Sequence, residues 1–244
     1  MKILLAPSET KKIGGEDSFN LSSLLFDSLT THRKKLLHAY INVLQKGDMV
    51  ELSKMFGLKK ESDILTYKND IVHELTMKAI NRYTGVAFDY LNYNELNIQA
   101  QTYIDKNLLI FSNLFGVLQA KDQIPIYRLQ QGKSIADIKP EQFYKPLLQP
   151  ILDTYLEGED ILDIRAGFYD KYYKPSLPYT TLKFIKEGKV VSHWAKAYRG
   201  IVLREIAKAQ IHTLVEFMKL PIEGLSIYEI QTKKNKTEIT YTIG

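Results

Sequence analysis

Short apolar runs and longer amphipathic stretches follow one another along this chain without a fixed order. The run at Met1–Ala6 has the length of a buried strand, and Pro7 stops it. Leu24–Gln45 carries apolar residues at helical spacing and ends at Gly47. Asp48 then stands where a cap belongs for a second helix through Met55, closed by Gly57. Helices are predicted over Asp70–Arg82 and Asn94–Lys106, and a strand over Leu108–Phe111. Pro140–Leu156 has helical periodicity, with a kink or break expected at Pro146 and Pro150. Asp160–Ile164 and Lys189–His193 read as further strands, the second feeding a helix that starts near Trp194 or Ala195. Ile227–Thr232 and Thr237–Ile243 alternate with period two around Lys-Lys-Asn-Lys, the pattern of a terminal hairpin.

The mixture predicts an α+β fold: a single domain over residues 1–244, with a central mixed sheet, surrounding helices and a helical insertion near residues 20–80. The 244 residues are enough to bury a substantial core, and 45% hydrophobic with 25% charged residues is the composition of a globular protein. There is no cysteine, which removes disulfides, thiolate metal sites and cysteine catalysis. No run approaches the roughly 18 apolar residues of a membrane span, and Met1–Ala6 is too short for a secretion signal. A cytoplasmic protein without a membrane partner is the expectation. The net charge of +5 favours encounter with polyanions.

No catalytic motif is complete. His32, His38, His73, His193 and His212 form no pair at metal-binding spacing, and GxGxxG, Walker and GxSxG patterns are absent. Neither a metal nor a cofactor is expected. The strand ends carry more information. Ser8, Glu9 and Lys11 follow the first strand; Ser112 and Asn113 follow Leu108–Phe111; Arg165 and Gly167 follow Asp160–Ile164; Lys196 and Arg199 follow Lys189–His193. If those strands run parallel, their ends line one cleft, because ligands bind at the carboxyl ends of parallel strands. Glu9 and Lys11 can pair, bind substrate or move a proton, and a plain polar turn is the competing reading. Arg128 stands in an apolar context and needs a carboxylate or a bound anion.

Two further segments concern nucleic acid. His193–Arg204 with Lys208 sets Lys196, Gly200, Arg204 and Lys208 at i, i+4 spacing, a slanted ridge of cations with a gap at the glycine. The competing reading is an amphipathic helix with a solvated basic side. Val50–Ile64 has the pattern of two short helices about Gly57, surrounded by Lys46, Lys54, Lys59 and Lys60. A helix-hairpin-helix offers backbone N–H groups at such a turn to a DNA phosphate, although Lys59 stands where the second glycine usually does.

Leu4–Lys11, Tyr83-Thr84-Gly85, Phe111–Leu129, Phe168–Lys174 and Ala195–Gly200 together resemble, in order, the YaaA peroxide-stress protein family of bacteria. The resemblance implies a single α+β domain with a positively charged cleft and a helix-hairpin-helix, cytoplasmic members that lower the pool of unincorporated iron under hydrogen peroxide, and DNA binding. Carried over by position, Ser8, Glu9, Lys11, Arg128, Lys196 and Arg199 line the cleft, and the hairpin lies at Ser53–Lys59. With Ser112 beside them and Lys54 and Lys59 on the hairpin, the expected partner is double-stranded DNA read with little sequence preference. An effect on iron by direct chelation is disfavoured by the missing cysteines and dispersed histidines. The alternatives are an enzyme acting on a nucleobase or nucleotide, with Glu9 as acid/base, and a non-catalytic interaction protein.

Overall fold

The computed structural model describes residues 1–244, apart from the side chains of residues 192 and 193, so the reading of His193 lies outside the described residues. From the amino terminus the elements are β1 (Lys2–Leu5), α1 (Thr30–Lys46), α2 (Met49–Phe56), α3 (Glu61–Leu65), β2 (Met77–Lys78), α4 (Ala79–Arg82), α5 (Val86–Leu91) and α6 (Ile98–Asn107). Then follow β3 (Leu108–Ser112), β4 (Gly116–Gln119), β5 (Gln123–Ile124), α7 (Pro140–Tyr155), β6 (Ile161–Asp163), β7 (Tyr179–Lys186) and β8 (Lys189–Val190). The chain closes with α8 (Ser192–Lys208), α9 (Leu214–Phe217), β9 (Leu225–Lys233) and β10 (Lys236–Ile243).

One mixed sheet organises the molecule, in the order β4-β3-β1-β6-β7-β10-β9 with β8 paired to β7. Its centre is parallel: β1 runs with β3 and β6, β6 with β7, and β7 with β10. β4, β8 and β9 are antiparallel to their neighbours. Every residue of β1 and β3 is buried, as befits strands covered on both faces. The chain leaves β1 for β3 on one side and later sets β6 on the other, so the strand order reverses at β1. At such a point the loops beyond adjacent strand ends diverge and leave a crevice. The architecture is α+β, built on one connected core.

The helical segment between β1 and β2 is held by Arg33. It is fully buried on α1 and donates to the carbonyls of Phe115 (3.0 Å), Val117 (2.7 Å) and Phe26 (3.3 Å). The expected helix from Leu24 begins only at Thr30. Phe26 takes a left-handed φ of 65°, and the Leu25 N–H is drawn to Asp122 (3.0 Å). The expected helix over 70–82 is also corrected. Asp70 caps a single turn, after which Thr76 pairs with Asp17 and Met77 with Ile124; those tertiary partners win, leaving only α4 helical.

α7 runs through both prolines instead of breaking. Pro146 and Pro150 are exposed, as is Gln142, so the carbonyls they leave unpaired face water. The expected strand at 189–193 is two residues long and forms a hairpin with β7, an element that the sequence reading does not assign. The terminal hairpin forms as expected, with Thr237 opposite Thr232.

Candidate functional site

Pro7 ends β1 and turns the chain over the carboxyl edge of the sheet. The Ser8 hydroxyl accepts from the Thr10 N–H (3.2 Å), and the Thr10 hydroxyl donates to the Thr84 carbonyl (3.1 Å). Lys11 is bridged to Tyr83 through the backbone, which turns its side chain inward. The ammonium donates to the carbonyls of Ser8 (3.1 Å) and Glu9 (3.3 Å) and lies 4.2 Å over the Tyr127 ring and 5.0 Å over that of Tyr83. Only 8% of Lys11 is exposed. Burial, and then the Arg128 charge, pull its pKa from 10.5 to about 7 against the opposing pull of Glu9. This lysine therefore exchanges its proton near neutrality.

Behind it runs a chain of hydroxyls: Tyr83 to Tyr127 at 2.7 Å, and Tyr127 to Ser112 at 2.8 Å. Ser112 also accepts the N–H groups of Leu114 (3.2 Å) and Phe115 (2.9 Å). Burial pushes the Tyr83 hydroxyl up to about 12 and that of Tyr127 well above its usual value, so both stay protonated.

Glu9 is held from two sides. One carboxylate oxygen meets the Arg128 guanidinium at 3.4 Å, and the other accepts the Gln131 N–H at 3.3 Å. The same guanidinium donates to the Phe56 carbonyl (2.9 Å) and the Glu9 carbonyl (3.3 Å). The partner that Arg128 requires is thus a carboxylate, assisted by the carboxyl end of α2. Gly57 closes α2 at a φ of 66°, which favours glycine, and an added Cβ would lie 2.2 Å from the Gln130 amide, so the end of that side chain would have to move. The Gln130 amide lies against this turn, and Gly57, Lys54, Lys59 and Lys60 are exposed.

A cleft of about 400 Å³ opens beyond β1 and β6, at the point where the strand order reverses. Ser8, Glu9 and Thr10 form one side; Gly85, Val86 and Ala87 another; Ile164, Ala166 and Tyr169 a third; Lys196 and Arg199 project from α8. Lys196 is exposed at the rim. The Arg199 Nε is buried without an acceptor, and burial lowers its pKa while Asp163 opposes the shift. Asp163 is already engaged: Arg165 grips it at 2.9 and 2.6 Å, lying 4.2 Å over the Phe111 ring. Arg199 is left with a charge and no hydrogen-bond acceptor among the described residues.

Gly200 brings α8 against α5. A Cβ there would lie 2.1 Å from the Ala87 carbonyl oxygen, so only glycine allows Lys196 and Arg199 to stand over the α5 side of the cleft. Arg204 is spent on the carbonyls of Leu91 (2.9 Å) and Asn92 (3.1 Å), and Lys208 on Glu205 (3.0 Å), which removes both from the proposed ridge.

Of the residues singled out from sequence, Ser8, Glu9, Lys196 and Arg199 share the cleft. Lys11 and Arg128 lie beneath Glu9, only 8% and 7% exposed, and neither lines the cleft. Ser112 is fully buried and does not line the cleft; its hydroxyl is committed to Tyr127 and the β3–β4 turn. Lys54 and Lys59 belong to the hairpin surface, not to the cleft. Arg165 is structural. Among the described residues no group of three histidines, aspartates or glutamates is placed to hold a metal ion, and no helix is long and apolar enough to cross a membrane. Sequence reasoning missed Thr10, Ala166, Tyr169 and Gln131. Tyr169 and Gly85 lay within matched segments without a role attached to them.

The class so defined is an α+β protein with a cationic cleft at the carboxyl edge of a parallel sheet core. The profile of the family described as "Peroxide stress protein YaaA" matches residues 1–231. The chain belongs to the YaaA peroxide stress protein family, which ties it in general terms to oxidative stress. An uncharacterized protein of Campylobacter jejuni is 43% identical over 244 residues, 100% of this chain and 99% of its own. A UPF0246 protein of Fusobacterium nucleatum is 29% identical over 245 residues, 96% of this chain and 97% of its own. One of Corynebacterium glutamicum is 31% identical over 222 residues, 86% of each.

Proposed function

We propose that this protein serves the peroxide response by binding double-stranded DNA with little sequence preference, and so limits damage driven by unincorporated iron. The observation that carries the reading is Arg199, which lines the cleft beside the exposed Lys196 and whose Nε has no acceptor among the described residues. Two fixed cations at a strand-end crevice suit a phosphodiester, and phosphate contacts position a duplex without reading its sequence. Lys54 and Lys59 supply further phosphate contacts from the hairpin as exposed charges. The +5 charge assists encounter. Protection follows from occupancy, since DNA covered by protein is shielded from oxidants formed at loosely held iron. A mobility shift at low salt tests this: absence of any shift for the folded protein removes the proposal.

A second reading, an enzyme acting on a nucleobase or nucleotide, is favoured by one observation: Lys11 titrates near pH 7 directly behind Glu9. In that reading Glu9, held by Arg128, is the acid/base and Lys11 sets its proton inventory. Glu9→Gln keeps the size of the side chain and removes its charge. If protection of cells from peroxide survives that substitution unchanged, the catalytic reading fails.

A further inference from the structure

The terminal hairpin leaves a long strand at the edge of the sheet. β9 ends the strand order and pairs with β10 on one side. Past Leu225 every residue of β9 is exposed, Ile227, Tyr228 and Ile230 among them. The far side of β10 shows which backbone groups of β9 are free. The Tyr179 N–H donates to the Asn235 carbonyl (2.9 Å), so Asn235, Thr237 and Ile239 turn their backbone groups towards β7. Lys236, Glu238 and Thr240 turn theirs towards β9, where they face Lys233, Gln231 and Glu229. The N–H and C=O groups of Ile230 and Thr232 are left aimed outward, with no strand beside them among the described residues. The register shifts at Tyr228, where β9 carries one residue more than β10. Sheet edges are ordinarily shielded by bulges, prolines or charge. Here the bulge and Lys233 flank a bare stretch between them.

The charges on that stretch are self-complementary. Glu229, Gln231 and Lys233 alternate along one face. Neither Glu229 nor Lys233 has an ion-pair partner among the described residues, and the nearby Glu238 is taken by Lys236 (3.0 Å) and Lys183 (3.9 Å). A second β9 set antiparallel to the first, with the two Gln231 residues opposite each other, puts Glu229 of each copy directly opposite Lys233 of the other. Ile230 then stands opposite Thr232, and each such pair exchanges both of its outward N–H···O=C bonds. Other registers lose this match. Centring on Glu229 sets two carboxylates against each other, and centring on Ile230 puts Glu229 opposite Gln231 and leaves Lys233 with no carboxylate opposite it. We propose that β9 is a docking edge for a second copy of this chain, paired antiparallel about Gln231 so that two sheets join into one. None of the residues lining the cleft lies on β9, so both clefts stay open, and the pairing does not depend on DNA.

Sedimentation equilibrium of the full chain without nucleic acid, from low-micromolar to sub-millimolar concentration, tests this. The wild type should pass from monomer to dimer within that range, as suits a small interface. Glu229→Lys sets lysine against lysine at both positions, and Lys233→Glu sets glutamate against glutamate; each should weaken the dimer at least about tenfold. Mixed together, those two variants should form a heterodimer, and the chain carrying both changes should dimerise like the wild type, because opposite charges face each other again. Thr232→Pro removes an outward N–H that the monomer leaves unpaired, so it should abolish the dimer while urea unfolding shows a folded chain. If that variant does not fold, the exposed charge variants decide alone. A wild type that stays monomeric throughout overturns the proposal. A dimer that survives Thr232→Pro, or one indifferent to both charge reversals, overturns it as well.

Discussion

Replacing Lys11 by methionine makes the energetics of the site measurable. The buried ammonium has a pKa of about 7 where an unfolded chain has 10.5. At about 1.4 kcal/mol per pH unit, the folded state therefore disfavours the charged lysine by roughly 5 kcal/mol, an upper bound. The sign follows from proton counting. Between pH 7 and about 10.5 the unfolded chain keeps a proton on Lys11 that the folded chain has released, so stability rises with pH across that window and levels off below it. Methionine carries no proton and fills the space between the Tyr83 and Tyr127 rings. Wild type and Lys11→Met should therefore diverge in slope. From pH 7 to 10 the wild type should gain about 2–4 kcal/mol relative to the variant, with the variant the more stable at pH 7. Urea unfolding midpoints at four pH values measure this, and tyrosine ionisation common to both proteins cancels in the difference. A difference that stays flat to within about 0.5 kcal/mol from pH 7 to 10 refutes the reasoning, because Lys11 would then titrate alike in both states.

Two further substitutions test the scaffold beneath the cleft. Gly200→Ala gains about 1 kcal/mol in helix propensity but drives a methyl into the Ala87 carbonyl oxygen, so a net loss of about 1–3 kcal/mol is expected by urea unfolding; a more stable variant would show that α8 and α5 can part freely. Ser112→Ala strands the buried N–H groups of Leu114 and Phe115 and leaves the Tyr127 hydroxyl with Tyr83 alone, at about 1–3 kcal/mol for each group left unpaired, and a loss below about 1 kcal/mol contradicts the role of the Ser112 hydroxyl.

Much of the architecture was legible where a local rule and the tertiary structure agree. Asp48 and Gly57 bracket α2 because a side-chain cap and a left-handed glycine act locally. The terminal hairpin follows from period-two alternation. Thr76 and Met77 were illegible because their partners, Asp17 and Ile124, are distant in sequence and override a helical pattern. β7 alternates in burial and could have been found; its Thr-Thr and Lys positions dilute the apolar signal.

At the site, placement after a strand singled out Ser8, Glu9, Lys196 and Arg199, and all four line the cleft. It gave no means of telling a surface cation from a buried one. Lys11 and Arg128 differ from Lys196 only in what surrounds them: two tyrosine rings for the first, a helix end and a carboxylate for the second. Gly200 was visible as an anomaly, but the close approach it permits is that of α5 and not of a ligand.

The central claim is that Lys196 and Arg199 hold DNA phosphates, and the salt dependence of duplex binding tests it most directly. Each phosphate contact contributes about 0.9 to the slope of log affinity against log salt concentration. The Lys196→Ala, Arg199→Ala double variant should bind more weakly and lose about 1.8 from the magnitude of that slope. A slope and affinity equal to those of the wild type would contradict the account, since the cleft cations would then carry none of the phosphate contact.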